Sequence, residues 1–204
     1  MSIFSHILTT VSTNPKSAIG LLCSLLIFAL GDCTHSSEMA PTIPKWSWTW
    51  STTQDVYNKG DVVWVRDPID KVTHRPMRIL ATEGDSIQYL NDGFVLNGRR
   101  ISALDMREWS ADSRVWKETF YPSQDENDAL SWEIIQSNSN SNWKSSKEII
   151  PTGYVYLSCD NRYKCVDSRW WGPLPMSSIE GKISFGMCPF CNVALNKSSF
   201  VLYY

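Results

Sequence analysis

The sequence predicts a mainly β protein preceded by a membrane segment. Short β-prone runs alternate with turn residues, no segment carries a sustained helical apolar stripe, and one unbroken apolar run stands near the N-terminus.

The apolar run, Ala18 to Gly31, follows Lys16 and stops at Asp32. As a helix its fourteen residues cover about 21 Å at roughly 1.5 Å per residue, against a hydrocarbon core of about 30 Å. Two readings fit: a tilted anchor in a thinned membrane, or the apolar core of a cleaved signal peptide with Ala29, Leu30 and Gly31 as a small-x-small site. A lipoprotein box is excluded because Asp32 directly precedes Cys33. The expectation carried forward is an uncleaved single-pass anchor in an inner or plasma membrane. Lys16 inside and Asp32 outside agree with the positive-inside rule, which places the C-terminal domain on the extracytoplasmic side.

Beyond the anchor, Asp61 to Val65 is a β-prone run introduced by Lys59 and Gly60. Ser86 to Ile101 reads as strands joined by two turns, because Asn91, Asp92, Gly93 and then Asn97, Gly98 tolerate positive φ. Tyr154 to Leu157 is a further strand, entered through Pro151, Thr152 and Gly153. Between these, residues 103–147 are more polar, and Ser137 to Asn142 is a low-complexity, solvated stretch. The segment reads as an insertion forming a β-ribbon lobe, with Trp116 to Phe120 and Trp132 to Ile135 as its two strands. The expected organisation is a signal-anchor segment over 1–33, a β core over 34–104 and 148–204, and the inserted lobe over 105–147.

A chain of 204 residues supports one good hydrophobic core. Its net charge of -2 provides no basic surface for phosphates, so nucleic acid is not an expected partner. Ten Trp suit grooves and membrane boundaries, where a large ring is half buried. Trp46, Trp48 and Trp50 alternate with Ser47 and Thr49, so on a strand their rings share one face. That face is either core or a membrane-interface patch. Trp170 and Trp171 read as packing residues.

Four segments carry a family resemblance: Ser36 to Ile43, Lys59 to Val63, Arg78 to Asp85, and a long stretch from Pro151 through Asp160-Asn161-Arg162, Asp167-Ser168-Arg169 and Gly172-Pro173 to Lys182. In order and spacing they resemble signal peptidase I, the Ser/Lys serine endopeptidases of the peptidase S26 type. The resemblance implies a signal-peptidase-like β core and a Ser nucleophile whose proton is taken by a buried, neutral Lys. Aligning Met39 to Thr42 puts Glu38 at the serine position. Aligning Gly84 and Asp85 puts Met77 at the lysine position, directly before Arg78. Both catalytic positions are therefore substituted, while Met39, Pro41, Arg78, Asp160, Asn161, Arg162, Asp167, Ser168 and Arg169 match the groove and its supporting loop.

The resemblance further implies a membrane-anchored protein that binds an exported preprotein or a pilin-like peptide by strand addition, close to membrane lipid, with no cofactor and no metal. The alternative is an active signal endopeptidase with a rewired nucleophile. Ser36, two residues before Glu38 and on the same face of a strand, is its candidate, with Glu38 or His74 as base. The resemblance otherwise assigns the Ser36 position a hydrogen bond to the oxyanion. Cys159 and Cys165 replace residues that face the lysine in the family, and are expected to bond to each other. Cys188 and Cys191 form a Cys-x-x-Cys whose expected role is a small structural disulfide, with a redox pair, half a zinc site and crossed pairings still open.

Overall fold

The computed structural model describes residues 31–90, 93–122, 126–138, 144–188 and the backbone of 200–202. The apolar run over 18–30 lies outside the described residues, so the anchor expectation is not addressed by them. Among the described residues no helix is long and apolar enough to cross a membrane.

The described residues are mainly β. The largest sheet runs in the order β1 (Asp32–Cys33), β2 (Trp48–Thr52), β14 (Ile179–Met187), β3 (Val62–Arg66), β4 (His74–Thr82), β12 (Tyr154–Ser158), β13 (Leu174–Pro175), and β15 (Phe200–Leu202) pairs with β14. A second sheet is β11 (Glu148–Ile149), β5 (Ser86–Leu90), β6 (Gly93–Leu96), β7 (Arg99–Arg100). The third is β10 (Leu130–Ser137), β9 (Ser113–Phe120), β8 (Ser102–Ser110). All pairings between these strands are antiparallel.

Strand β4 is the shared wall of two cores. Met77 and Ile79 enter the first, with Val63 and Val65 of β3, Leu157 of β12, and Met39 and Ile43. Leu80 and Ala81 enter the second, with Phe94, Leu96, Trp132, Ile134 and Tyr156. Burial on both faces explains why Ile79 to Ala81 of β4 are apolar without alternation, while Arg78 is buried by its ion pair. The β6–β7 connection is the hairpin expected from Asn97 and Gly98: both have positive φ, 51° and 80°, and Leu96 pairs with Arg99 across a two-residue loop.

The lobe differs from its expected form in having three strands. Ser102–Ser110 is exposed at all but one position, so it carries no apolar alternation to betray a strand. It is held by pairing with β9. The Trp triplet also differs. Trp46 precedes β2 at a φ of 65° and is 48% exposed. Only Trp48 and Trp50 share a strand face, and it is half-buried, while Ser47 and Thr49 point inward.

Candidate functional site

Residues 36–43 form a chain of turns, not the strand the Ser36 argument assumed. Segment and loop hold each other: the Asn161 backbone N–H donates to the Glu38 carbonyl at 2.8 Å, and Asn161 Nδ2 donates to the Ser37 carbonyl at 3.0 Å. Thr42 Oγ1 donates to Asp160 Oδ2, and the Asp160 backbone N–H points to Met39 Sδ at 3.4 Å. The Ala40–Pro41 peptide bond is cis.

Ser36 nevertheless reaches Glu38, its Oγ donating to Oε2 at 3.1 Å. The other carboxylate oxygen, Oε1, receives Arg75 Nη1 at 2.5 Å. Arg75 Nε also lies 2.6 Å from Asp67 Oδ2, an ion pair by distance in which the N–H is not aimed at the oxygen. Arg75 is two residues before Met77 on β4, so the two side chains leave the same face of the strand. Met77 is 1% exposed and packs in the core cluster that holds Met39. A thioether there offers no basic nitrogen. His74 is an odd number of residues from Met77 and so on the opposite face; it pairs with Glu180, away from the role of base considered for it.

Around this point the supporting residues are rigidly paired. Arg78 makes a bidentate contact with Asp160, Nε to Oδ1 at 2.8 Å and Nη2 to Oδ2 at 2.6 Å, and caps the Gly60 carbonyl at 2.7 Å. Arg162 grips Glu118 of β9 at 2.7 and 2.6 Å, with both side chains 2% exposed. Glu118 also accepts from Trp132 Nε1 at 3.0 Å. Asp167 caps the short helix α1 (Ser168–Trp171) by accepting from the Arg169 backbone N–H. It also accepts from Arg169 Nε, Ser158 Oγ and the Cys159 backbone N–H at 2.8, 2.9 and 3.1 Å. Burial opposes the charge on Arg169, yet contact with Asp167 outweighs it and raises the guanidinium pKa above its ordinary value. Ser168 Oγ accepts from the Leu157 backbone N–H at 3.0 Å.

The sulfurs of Cys159 and Cys165 are bonded, with Cα atoms 6.2 Å apart. These sulfurs and an Asp167 oxygen lie within 4.8 Å of one another. The donor set does not suit a metal, because the thiolates are consumed in the bridge and both Asp167 oxygens already accept hydrogen bonds. Cys191, half of the other expected bridge, lies outside the described residues. Cys33 is a free thiol whose pKa is raised by burial.

The loop also carries the lobe. The Ile135 backbone N–H of β10 donates to the Asp160 carbonyl at 2.8 Å, and the Arg162 N–H returns to the Ile135 carbonyl at 2.9 Å. Asn161, bracketed by these two bonds, is the residue that holds Glu38.

A family model described as signal peptidase, peptidase S26, matches residues 11–188. The chain belongs to that family. Among relatives of this signal peptidase homologue, the mitochondrial inner membrane protease subunit 1 of Mus musculus is 37% identical over 70 residues, 34% of this chain and 42% of that protein. The mitochondrial ATP-independent inner membrane protease subunit 1a of Arabidopsis thaliana is 30% identical over 130 residues, 64% of this chain and 50% of that one. Signal peptidase I of Bacillus caldolyticus is 26% identical over 113 residues, 55% of this chain and 53% of that one. The match thus spans about half or less of these relatives. A solved signal peptidase I from Enterococcus faecalis overlays 64% of this chain and 98% of its own with a TM-score of 0.39 at 18% identity.

Sequence reasoning missed Arg75, Asp67 and Glu118. Arg75 was available from strand periodicity, since it lies two residues from Met77 in a β-prone run. Asp67 and Glu118 come from distant segments, 8 residues before Arg75 and 44 before Arg162 in the chain, and no local pattern marks them.

Proposed function

We propose that this signal peptidase homologue binds an exported chain outside the cytoplasm without cutting it, tethered by an N-terminal segment over 1–33. In this reading the β core spans 34–104 and 148–204, and 105–147 is an inserted lobe. The clients are exported preproteins or pilin-like peptides held by strand addition, which needs backbone hydrogen bonds and no nucleophile. The half-buried Trp48 and Trp50 face would rest against lipid. The observation that carries the reading is the pairing of Glu38 with Arg75 beside a buried Met77. A carboxylate ion-paired at the attack point supplies no hydroxyl, and a thioether accepts no proton.

A second reading has one observation in its favour, the Ser36 Oγ to Glu38 Oε2 hydrogen bond at 3.1 Å. It makes Ser36 the nucleophile and Glu38 its base. The other partner of Glu38 works against it, because Oε1 is already engaged by Arg75 Nη1, an ion pair that would be lost if the carboxylate took up the Ser36 proton. Incubating the full chain with a preprotein decides between them. The binder leaves the preprotein intact, whereas cleavage after a small-x-small site that vanishes in Ser36→Ala establishes the peptidase. Restoring Glu38→Ser with Met77→Lys is expected to generate cleavage only when both changes are present.

A further inference from the structure

The charges around the site are not evenly matched. Arg78 with Asp160, Arg162 with Glu118 and Arg169 with Asp167 are buried ion pairs of one cation with one anion. At the attack point a single guanidinium, Arg75, faces two carboxylates, Glu38 and Asp67. These three side chains alone carry one negative charge in excess.

The two carboxylates are not equivalent. Asp67 is 2% exposed and its second oxygen, Oδ1, accepts from the Ile69 and Asp70 backbone N–H groups, so it is spent on Arg75 and on its own turn. Glu38 is 15% exposed and receives one donor on each oxygen, from Arg75 and Ser36. An ionised carboxylate has about four acceptor positions, so Glu38 retains capacity for further donors. If Arg75 turns away from Glu38, it still has Asp67.

A second, independent observation points the same way. Asn161 is 4% exposed, its backbone and side-chain N–H groups hold the Glu38 and Ser37 carbonyls, and its Oδ1 is buried without a partner. A buried acceptor left without a partner bears its loss of hydration uncompensated. A donor brought to this place by a ligand would recover that loss.

We propose that the site selects a primary ammonium group on the bound chain, taken up by Glu38 with Asn161 as a supporting acceptor. This inference rests on the reading of the chain as a binder and names the class of segment it takes: one carrying a lysine side chain, or a free α-amino terminus, where it meets Glu38. Three hydrogens on the ammonium suit the open acceptor positions of Glu38 and the Oδ1 of Asn161, whose Nδ2 already holds the Ser37 carbonyl.

The test uses the full chain in detergent and fluorescently labelled extended peptides of small residues, read by anisotropy at low and at physiological salt. One peptide carries a central Lys, one Gln in its place, one a free α-amino terminus, and one the acetylated terminus. The Lys or free-amine peptide is expected to bind about tenfold tighter than its neutral counterpart. That preference is expected to shrink with salt and to disappear in Glu38→Gln. Preference confined to the Lys peptide assigns the side chain as the source, and preference confined to the free terminus assigns the α-amine. Equal affinity for charged and neutral peptides overturns the inference and leaves the binder reading standing. Binding of none of them overturns both. The comparison among peptides on the unaltered chain stands even if Glu38→Gln folds poorly.

Discussion

The loop over 159–169 and the attack point it supports are built on opposite electrostatic plans. In the loop each buried guanidinium meets one carboxylate, often in a bidentate contact, and further donors reach the carboxylates: backbone N–H groups at Asp167, Thr42 Oγ1 at Asp160 and Trp132 Nε1 at Glu118. At the second, Met77 on β4 is a buried thioether, and Glu38, in the turns over 36–43, is a carboxylate sharing its cation with Asp67. The first region shows charges buried for architecture, where complete pairing is a condition of folding. The second shows a carboxylate and a thioether set side by side, with one cation serving two anions.

The sharpest way to break this contrast is Arg162→Met, which strands Glu118 in the second core with only Trp132 as donor. Removing one partner of a buried pair is expected to cost about 3–5 kcal/mol, measured by urea unfolding. A loss below about 1 kcal/mol would show that the loop pairs are decoration. Next in size is Met77→Lys alone, which puts an ammonium among Met39, Ile79 and Leu157. The expected loss at pH 7 is about 2–4 kcal/mol. The folded-state pKa of that lysine falls below its unfolded value of about 10.4, so the penalty shrinks as pH rises through the folded value and vanishes only above the unfolded one, where both states are neutral. Met77→Leu at the same place is expected to cost less than about 1.5 kcal/mol.

Removing the Cys159–Cys165 bridge with a double Ala change is expected to cost roughly 2 kcal/mol, since the closed loop is short. The measurement is the shift of the urea midpoint at constant slope. The smallest effect concerns Asp85, outside both regions. Burial pushes its carboxyl up, but hydrogen bonds from Asn97, the Thr82 backbone and Lys59 prevail and hold its pKa below the ordinary range. A carboxylate depressed in the folded state contributes stability above the unfolded value of about 4 and loses it as pH falls through the folded one. Asp85→Asn is therefore expected to flatten the acid side of a stability-against-pH curve by less than about 1 kcal/mol. No change in that slope would remove Asp85 from the account.

The sequence announced those parts of the fold that local chemistry decides. Asn97 and Gly98 specify their hairpin because few other residues accept positive φ at both positions. Val62 to Val65 reads as a strand because it is buried throughout and β-branched. Strand β8 was illegible because its stability comes from backbone pairing with β9, which leaves no trace in side-chain polarity. At the site, motif spacing singled out Glu38 and Met77, but the cation facing Glu38 depends on how a turn segment meets a strand 37 residues later, and a linear pattern does not encode that meeting. The same limit put Ser36 and Glu38 on one face of a strand, whereas contact with Asn161 shapes the segment into turns.

The backbone bracket at Ile135 gives the lobe a part in the site that its distance along the chain conceals. Because β10 anchors Asp160 and Arg162 on either side of Asn161, a trimmed version lacking residues 105–147 would also lose the brace behind the Glu38 carbonyl. Shortening the protein would loosen its groove, and any minimal derivative for crystallography or display needs a replacement strand at that edge.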